Sequence, residues 1–142
     1  MKQNYILIVD DDKDFRDFIV DYLEEQGFST RQAENGETAI KHIMSEKPDL
    51  ILLDIQLPTI TGLDVCRILK ARSSTSDIPV IFVTGNHTPS NMLSSYLAGA
   101  GRYLSKPFML SELKESVHHA LRHHDIGEDR LTASSNARGW QM

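Results

Sequence analysis

Cysteine is almost absent from this sequence. Cys66 stands alone, so no disulfide framework within the chain can carry the fold. Long apolar stretches are missing too. Nothing approaches the roughly 20 residues that cross a bilayer, and the opening MKQNYILIVDDD has no apolar core of a signal peptide. A cytoplasmic protein without a membrane partner is expected. Basic charge is also short, with 15 Lys and Arg against 20 Asp and Glu and a net charge of -5. Phosphate backbones are bound by basic patches, so direct nucleic-acid binding is not expected. What remains is 40% hydrophobic and 25% charged over 142 residues. That is ordinary for one water-soluble domain large enough to bury its own core.

Four apolar runs stand out: YILIV (5–9), LILL (50–53), PVIFV (79–83) and RYL (102–104). The first three lack polar alternation, as strands buried on both faces of a parallel sheet do. FSTRQA (28–33) alternates and suits an outer strand. Helical spacing separates the runs. Residues 14–26 place Phe15, Phe18, Ile19, Tyr22 and Leu23 three and four apart, with Gly27 as a stop. Residues 37–46 group Ala39, Ile40, Ile43 and Met44. Residues 63–72 offer Leu63, Val65, Cys66 and Leu69, with Cys66 expected to pack as a small hydrophobe. TPSNMLSSYL opens on Thr88 as N-cap and Pro89 as first helical residue, and then shows Met92, Leu93, Tyr96 and Leu97. The last helix spans about 111–123 and turns Leu113, Val117 and Leu121 inward. Five βα units in a row predict an α/β fold, doubly wound, with a parallel sheet and helices on both faces. Residues 125–142 are polar and aperiodic and are expected to form a tail or linker.

The ends of the apolar runs carry the chemistry. They close on Asp10-Asp11-Asp12, on Asp54, on Thr84-Gly85 and on Ser105-Lys106-Pro107. Parallel strands bring these groups to one edge of the sheet, where open α/β folds bind ligands. Crowded carboxylates resist joint ionisation, and a divalent cation relieves this. All-oxygen ligands with water suit Mg2+. A lysine and a threonine hydroxyl beside them fit the oxygens of a phosphoryl group, and an aspartate can accept one as nucleophile.

Together ILIVDDD, LILLDIQLPTITG, VIFVTG and GAGRYLSKPF resemble the receiver domain of two-component response regulators, over about residues 4–123. The resemblance implies a flavodoxin-like (βα)5 fold with five parallel strands in the order 2-1-3-4-5, a receiver domain over 1–124 and a tail over 125–142. It implies Asp54 as phosphoacceptor and a Mg2+ site made by Asp10, Asp11, Asp54 and the Gln56 backbone carbonyl. By the same resemblance Thr84 and Lys106 are expected to hold phosphoryl oxygens, Lys106-Pro107 to be a cis peptide, and Thr84 and Tyr103 to form the switch. The implied partners are a histidine kinase or phosphotransfer protein as donor and a downstream effector or fused output domain. A phosphorylation-dependent dimer is a further implication. However, Gly101 and Arg102 stand where the family often has two acids that build one dimer type, and Ile60-Thr61 replaces a frequent Met-Asp. Gln56 and Asn86 occupy positions that tune hydrolysis of the acyl phosphate.

Other readings compete. Asp10, Asp12 and Asp14 match three EF-hand ligand positions, but Phe15 stands where that loop needs Gly and Asp21 where it needs Glu. Asp12 is instead expected to cap the first helix, and Pro58 and Gly62 to shape a loop. His119 and His123 stand one helical turn apart, as zinc ligands can, next to His118 and His124, yet no carboxylate or cysteine pattern completes a site. A phosphatase with an aspartyl-phosphate intermediate also places its nucleophile after a buried strand. It would carry an acid two residues later, where this chain has Gln56. A phosphorylation-independent interaction module on the same fold is the third reading.

Overall fold

A computed structural model describes residues 5–125; the expected tail, residues 125–142, and the side chains of His123 and His124 lie outside the described residues, apart from the backbone of 123–125. Strands and helices alternate as β1 (Ile6–Val9), α1 (Lys13–Glu25), β2 (Thr30–Ala33), α2 (Gly36–Ser45), β3 (Leu50–Leu53), α3 (Gly62–Lys70), β4 (Val80–Thr84), α4 (Pro89–Leu97), β5 (Arg102–Ser105) and α5 (Leu110–Asp125). The strands form one sheet in the order β2-β1-β3-β4-β5, with every pairing parallel.

The unbroken apolar runs are explained by where alternate side chains go. Ile6, Ile8, Leu50, Leu52, Ile81 and Val83 face one layer with Ile19 and Leu23 of α1 and Leu113 and Val117 of α5. Leu7, Val9, Ile51, Leu53, Val80 and Phe82 face the other with Ala39, Ile43, Val65 and Leu69. A strand covered on both faces has no position left for a polar residue. The edge strands differ, since β2 and β5 are mostly half-buried.

Local signals set the boundaries. Asp12 accepts from the Phe15 amide and caps α1. Gly27 (φ 95°) ends it, with Phe28 N–H donating to Leu23 O and Gly27 N–H to Glu24 O. Those two bonds are the Schellman arrangement, which needs a left-handed residue at that point. Thr88 caps α4 ahead of Pro89, as the sequence predicts. Thr61 and Asp64 make a reciprocal capping box that starts α3 at Gly62. The last helix begins at Leu110, one residue ahead of the expected start, and the Glu112 carboxylate accepts from Met109 N–H at 2.8 Å.

Several apolar residues assigned to helix faces point outward instead. Phe18, Met44, Leu93 and Leu97 are exposed. In α4 the fully buried side chain is Ser95, with Ala98 and Ala100 buried just beyond. Small residues let the α4 end approach the sheet closely, and that rotation turns Leu93 and Leu97 to solvent. No helix among the described residues is long and apolar enough to cross a membrane.

Candidate functional site

The sheet register builds the site. Val9 pairs with Leu53, Leu53 with Phe82, and Thr84 with Ser105. Asp10 and Asp54 therefore leave adjacent strands at the same level, with Thr84 at the end of β4 and Lys106 just past β5. Asp54 N–H donates to Val9 O at 3.0 Å and Asp10 N–H to Ala33 O at 3.1 Å, so both backbones are tied to their neighbours. Carboxylate oxygens of Asp10, Asp11 and Asp54 lie within 4.8 Å of one another. Asp10 and Asp54 are buried, while Asp11 is exposed.

Lys106 holds this cluster together. Its Nζ donates to Asp10 Oδ2 at 2.7 Å and stands 3.8 Å from Asp54 Oδ2. The same ammonium lies 3.9 Å from the centre of the Phe15 ring, an additional attraction for a partly desolvated cation. Asp10 Oδ1 accepts from Asp12 N–H at 2.9 Å, and Asp54 Oδ1 accepts from Gln56 N–H at 3.2 Å. Burial pushes the Asp54 carboxyl above the ordinary 3.8, and the Asp10 charge pushes it further. Lys106, the Gln56 amide and the Thr84 hydroxyl pull it back. One ammonium against three carboxylates leaves an excess of negative charge, in an all-oxygen setting that suits a hard divalent cation such as Mg2+. Among the described residues these three acids are the one group with metal-binding spacing.

With its folded value above 3.8, Asp54 binds more protons native than unfolded in the interval between the two values. Its contribution to stability is present at low pH and is lost as pH rises through the folded value. Asp54→Asn removes the charge, so it is expected to raise the unfolding midpoint at neutral pH without divalent cations. The gain should shrink as pH falls toward 3.8. Urea denaturation in EDTA across that range checks it, and a variant less stable at neutral pH would contradict the charge argument.

The remaining predicted residues fall around this pocket. The Lys106–Pro107 peptide is cis. Gln56 is exposed. Asn86 N–H donates to the Thr84 hydroxyl at 3.2 Å, and Thr84 is itself buried. Tyr103 in β5 is the register partner of Phe82, two residues before the end of β4, and packs half-buried against the core. Its hydroxyl lies 3.1 Å from His87 Nδ1, with the rings 5.4 Å apart. Lys106 also lines an apolar groove of about 360 Å³ with Phe15, Phe18, Pro107 and Phe108. Gly62 abuts the turn after Asp54, where a Cβ would stand 1.9 Å from the Asp54 carbonyl oxygen. Away from the site, Cys66 is buried and its thiol donates to Ala98 O at 3.3 Å. Burial pushes that thiol's pKa up. His118 packs at a tilt against Phe28.

Sequence reasoning missed Arg16. Its guanidinium is buried and donates to Asp10 O at 2.6 Å. The signal was available: Arg16 shares the inward stripe of Ile19 and Leu23, at spacings of three and seven, where an apolar residue is the norm.

A doubly wound sheet with a lysine-bridged carboxylate pocket at its strand ends defines a class of protein suited to phosphoryl chemistry. The family model described as response regulator receiver domain matches residues 6–118. A relative called response regulator MprA, from Mycobacterium ulcerans (strain Agy99), is 36% identical over 129 residues, which are 91% of this chain and 55% of the relative. A solved two-component response regulator from Clostridium difficile superimposes with a TM-score of 0.80 at 34% identity, covering 87% of this chain and 100% of that one. A CheY-like receiver domain protein from Methanospirillum hungatei JF-1 gives 0.80 at 31%, covering 87% and 98%. The chain belongs to the response regulator receiver domain family. It spans about half the length of the curated relatives it matches.

Proposed function

We propose that this chain is a phosphoacceptor switch acting in the cytoplasm, in which Asp54 takes a phosphoryl group from phosphohistidine on a kinase or phosphotransfer protein. The observation that carries the reading is the convergence of Asp10, Asp11, Asp54 and Lys106 on one strand edge. Asp54 Oδ forms the new P–O bond as the P–N bond breaks, and the departing imidazole keeps the nitrogen's electron pair. Lys106 leaves Asp10 or shares its donors, and so meets the charge that builds on the transferring oxygens. The Thr84 hydroxyl takes another oxygen. Asp10, Asp11, Asp54 and the Gln56 carbonyl would hold Mg2+, which would supply charge neutralisation and orientation there. The apolar groove beside Phe15 and Phe18 receives the donor.

Movement of Thr84 toward the phosphoryl group opens space for Tyr103, whose ring turns inward and changes the surface formed by α4, β5 and α5. Exposed Leu93 and Leu97 on that surface provide apolar contact for an effector, an output domain or a second copy. A swing from mostly inactive to mostly active takes on the order of 5 kcal/mol of differential stabilisation. The switch is assigned to residues 1–124, with 125–142 as a tail or linker. The chain acts by being modified rather than by turning over a substrate.

Incubation with acetyl phosphate tests this. Labelling is expected to reach one acid-labile phosphoryl per chain, to require Mg2+, and to vanish in EDTA. Sustained turnover of phosphate monoesters would instead favour the phosphatase reading. Labelling indifferent to EDTA would refute the metal assignment.

A further inference from the structure

Arginine is seldom fully buried without an acid to pair with, and desolvating a guanidinium is costly. Arg16 is 9% exposed, and neither group it bonds is a carboxylate. Its Nη1 donates to the Asp10 carbonyl oxygen at 2.6 Å. Its Nε donates to Gln32 Oε1 in β2 at 2.8 Å. Gln32 Nε2 in turn donates to Asp17 Oδ1 at 3.3 Å, and Asp17 Oδ2 takes the Lys13 ammonium at 2.7 Å. The chain of bonds runs from the solvent face of α1, through an edge strand, to the main chain of one pocket acid.

We propose that Arg16 and Gln32 are a positioning pair for the acidic pocket, fixing the main chain of Asp10 so that its carboxylate is presented to Lys106 and to a divalent cation. Asp10 lies one residue beyond β1, at the very end of the strand ladder. Its N–H is held by Ala33 O and its carbonyl by Arg16. Its two carboxylate oxygens are held by Asp12 N–H and by Lys106. Without Arg16 the carbonyl loses its charge-assisted partner, and rotation about residue 10 carries the carboxylate with it. Gln32 matters because a guanidinium held at one nitrogen alone can swing, while two bonds define its plane. Partners that orient metal ligands in this way are commonly worth a tenfold to hundredfold change in metal affinity. The inference rests on the divalent-cation pocket proposed above.

Gln32→Leu is the decisive variant. It leaves the Arg16 charge in place and removes the acceptor that orients it, together with the bond to Asp17, and Gln32 is half-buried at a sheet edge. Arg16→Lys is the companion, keeping a positive charge that cannot make both bonds. The Mg2+ dissociation constant is measured on the full chain by NMR shift titration, well below each variant's melting temperature. It is expected to rise about threefold to tenfold in Gln32→Leu and about tenfold or more in Arg16→Lys. Saturating Mg2+ is expected to restore the acetyl phosphate labelling rate, which a general loosening of the fold would not allow. Unchanged or tighter Mg2+ binding in folded Gln32→Leu overturns the inference and leaves the pocket reading standing. Absence of Mg2+ binding by the unsubstituted chain overturns the pocket reading, and the positioning role with it.

Discussion

Asp54→Asn is expected to abolish labelling by acetyl phosphate, a loss of at least about a thousandfold, while leaving the fold intact. A carboxamide has nearly the shape of a carboxylate and still accepts from the Gln56 amide. It offers no anionic oxygen to attack phosphorus, and removing a nucleophile costs orders of magnitude that neighbouring groups do not recover. Lys106→Ala makes the informative contrast. It deletes the ammonium 2.7 Å from Asp10 and 3.8 Å from Asp54 but spares the nucleophile, so labelling should slow by about a hundredfold or more and persist. Intact mass measurement after acid and hydroxylamine treatment reads both variants. Full labelling of Asp54→Asn at a different carboxylate would overturn the assignment, since Asp10 and Asp11 are the acids close enough to substitute.

Gly62→Ala is expected to be the most damaging small substitution in the chain. The added Cβ would stand 1.9 Å from the Asp54 carbonyl oxygen, 2.8 Å from its carbonyl carbon and 3.0 Å from Ile55 Cα. These are backbone atoms, and no side-chain rotamer relieves the contact. The same stretch is pinned by Gly62 N–H donating to Ile55 O at 2.8 Å and by the Thr61–Asp64 capping box. Either the start of α3 or the turn after Asp54 must move. Overpacking against fixed neighbours costs about 3 kcal/mol here, which lowers the melting temperature by roughly 10 °C. Because the clash falls on Asp54's own main chain, labelling should also slow in whatever fraction stays folded. By comparison Gly27→Ala meets no atom within 4 Å and carries only the strain of its φ of 95°. A Gly62→Ala variant as stable as Gly27→Ala would contradict this account.

Much of this was legible in the residues themselves. LILL ending on Asp54 reads as an interior strand with a functional terminus because a strand covered on both faces must be apolar throughout, and its end is the first place a carboxylate fits. Thr88, Pro89, Gly27 and Asp12 announced helix boundaries through local hydrogen bonding and backbone preference, which need no distant partner. Helix faces were harder. Phe18 in α1 and Leu93 and Leu97 in α4 have the spacing of core residues and are exposed, whereas Ser95 is buried. Periodicity reports which residues share a face. It does not report how that face is rotated when the neighbouring layer is filled.

The identity of the chemistry was determined by sequence: acids, a lysine and a threonine at strand ends, in an order that parallel strands bring to one edge. Tertiary structure decided the distances between those groups, the burial that raises the pKa of the Asp54 carboxyl, and the partnership of Arg16 with Gln32 and Asp10. The reason is the range of the forces involved. Strand propensity, capping and glycine turns act over a few residues and are written locally. Desolvation and hydrogen bonding across the sheet depend on β1, β2, β3 and β5 meeting, and their residues are brought together from widely separated parts of the chain by the burial of the sheet between its two helical layers.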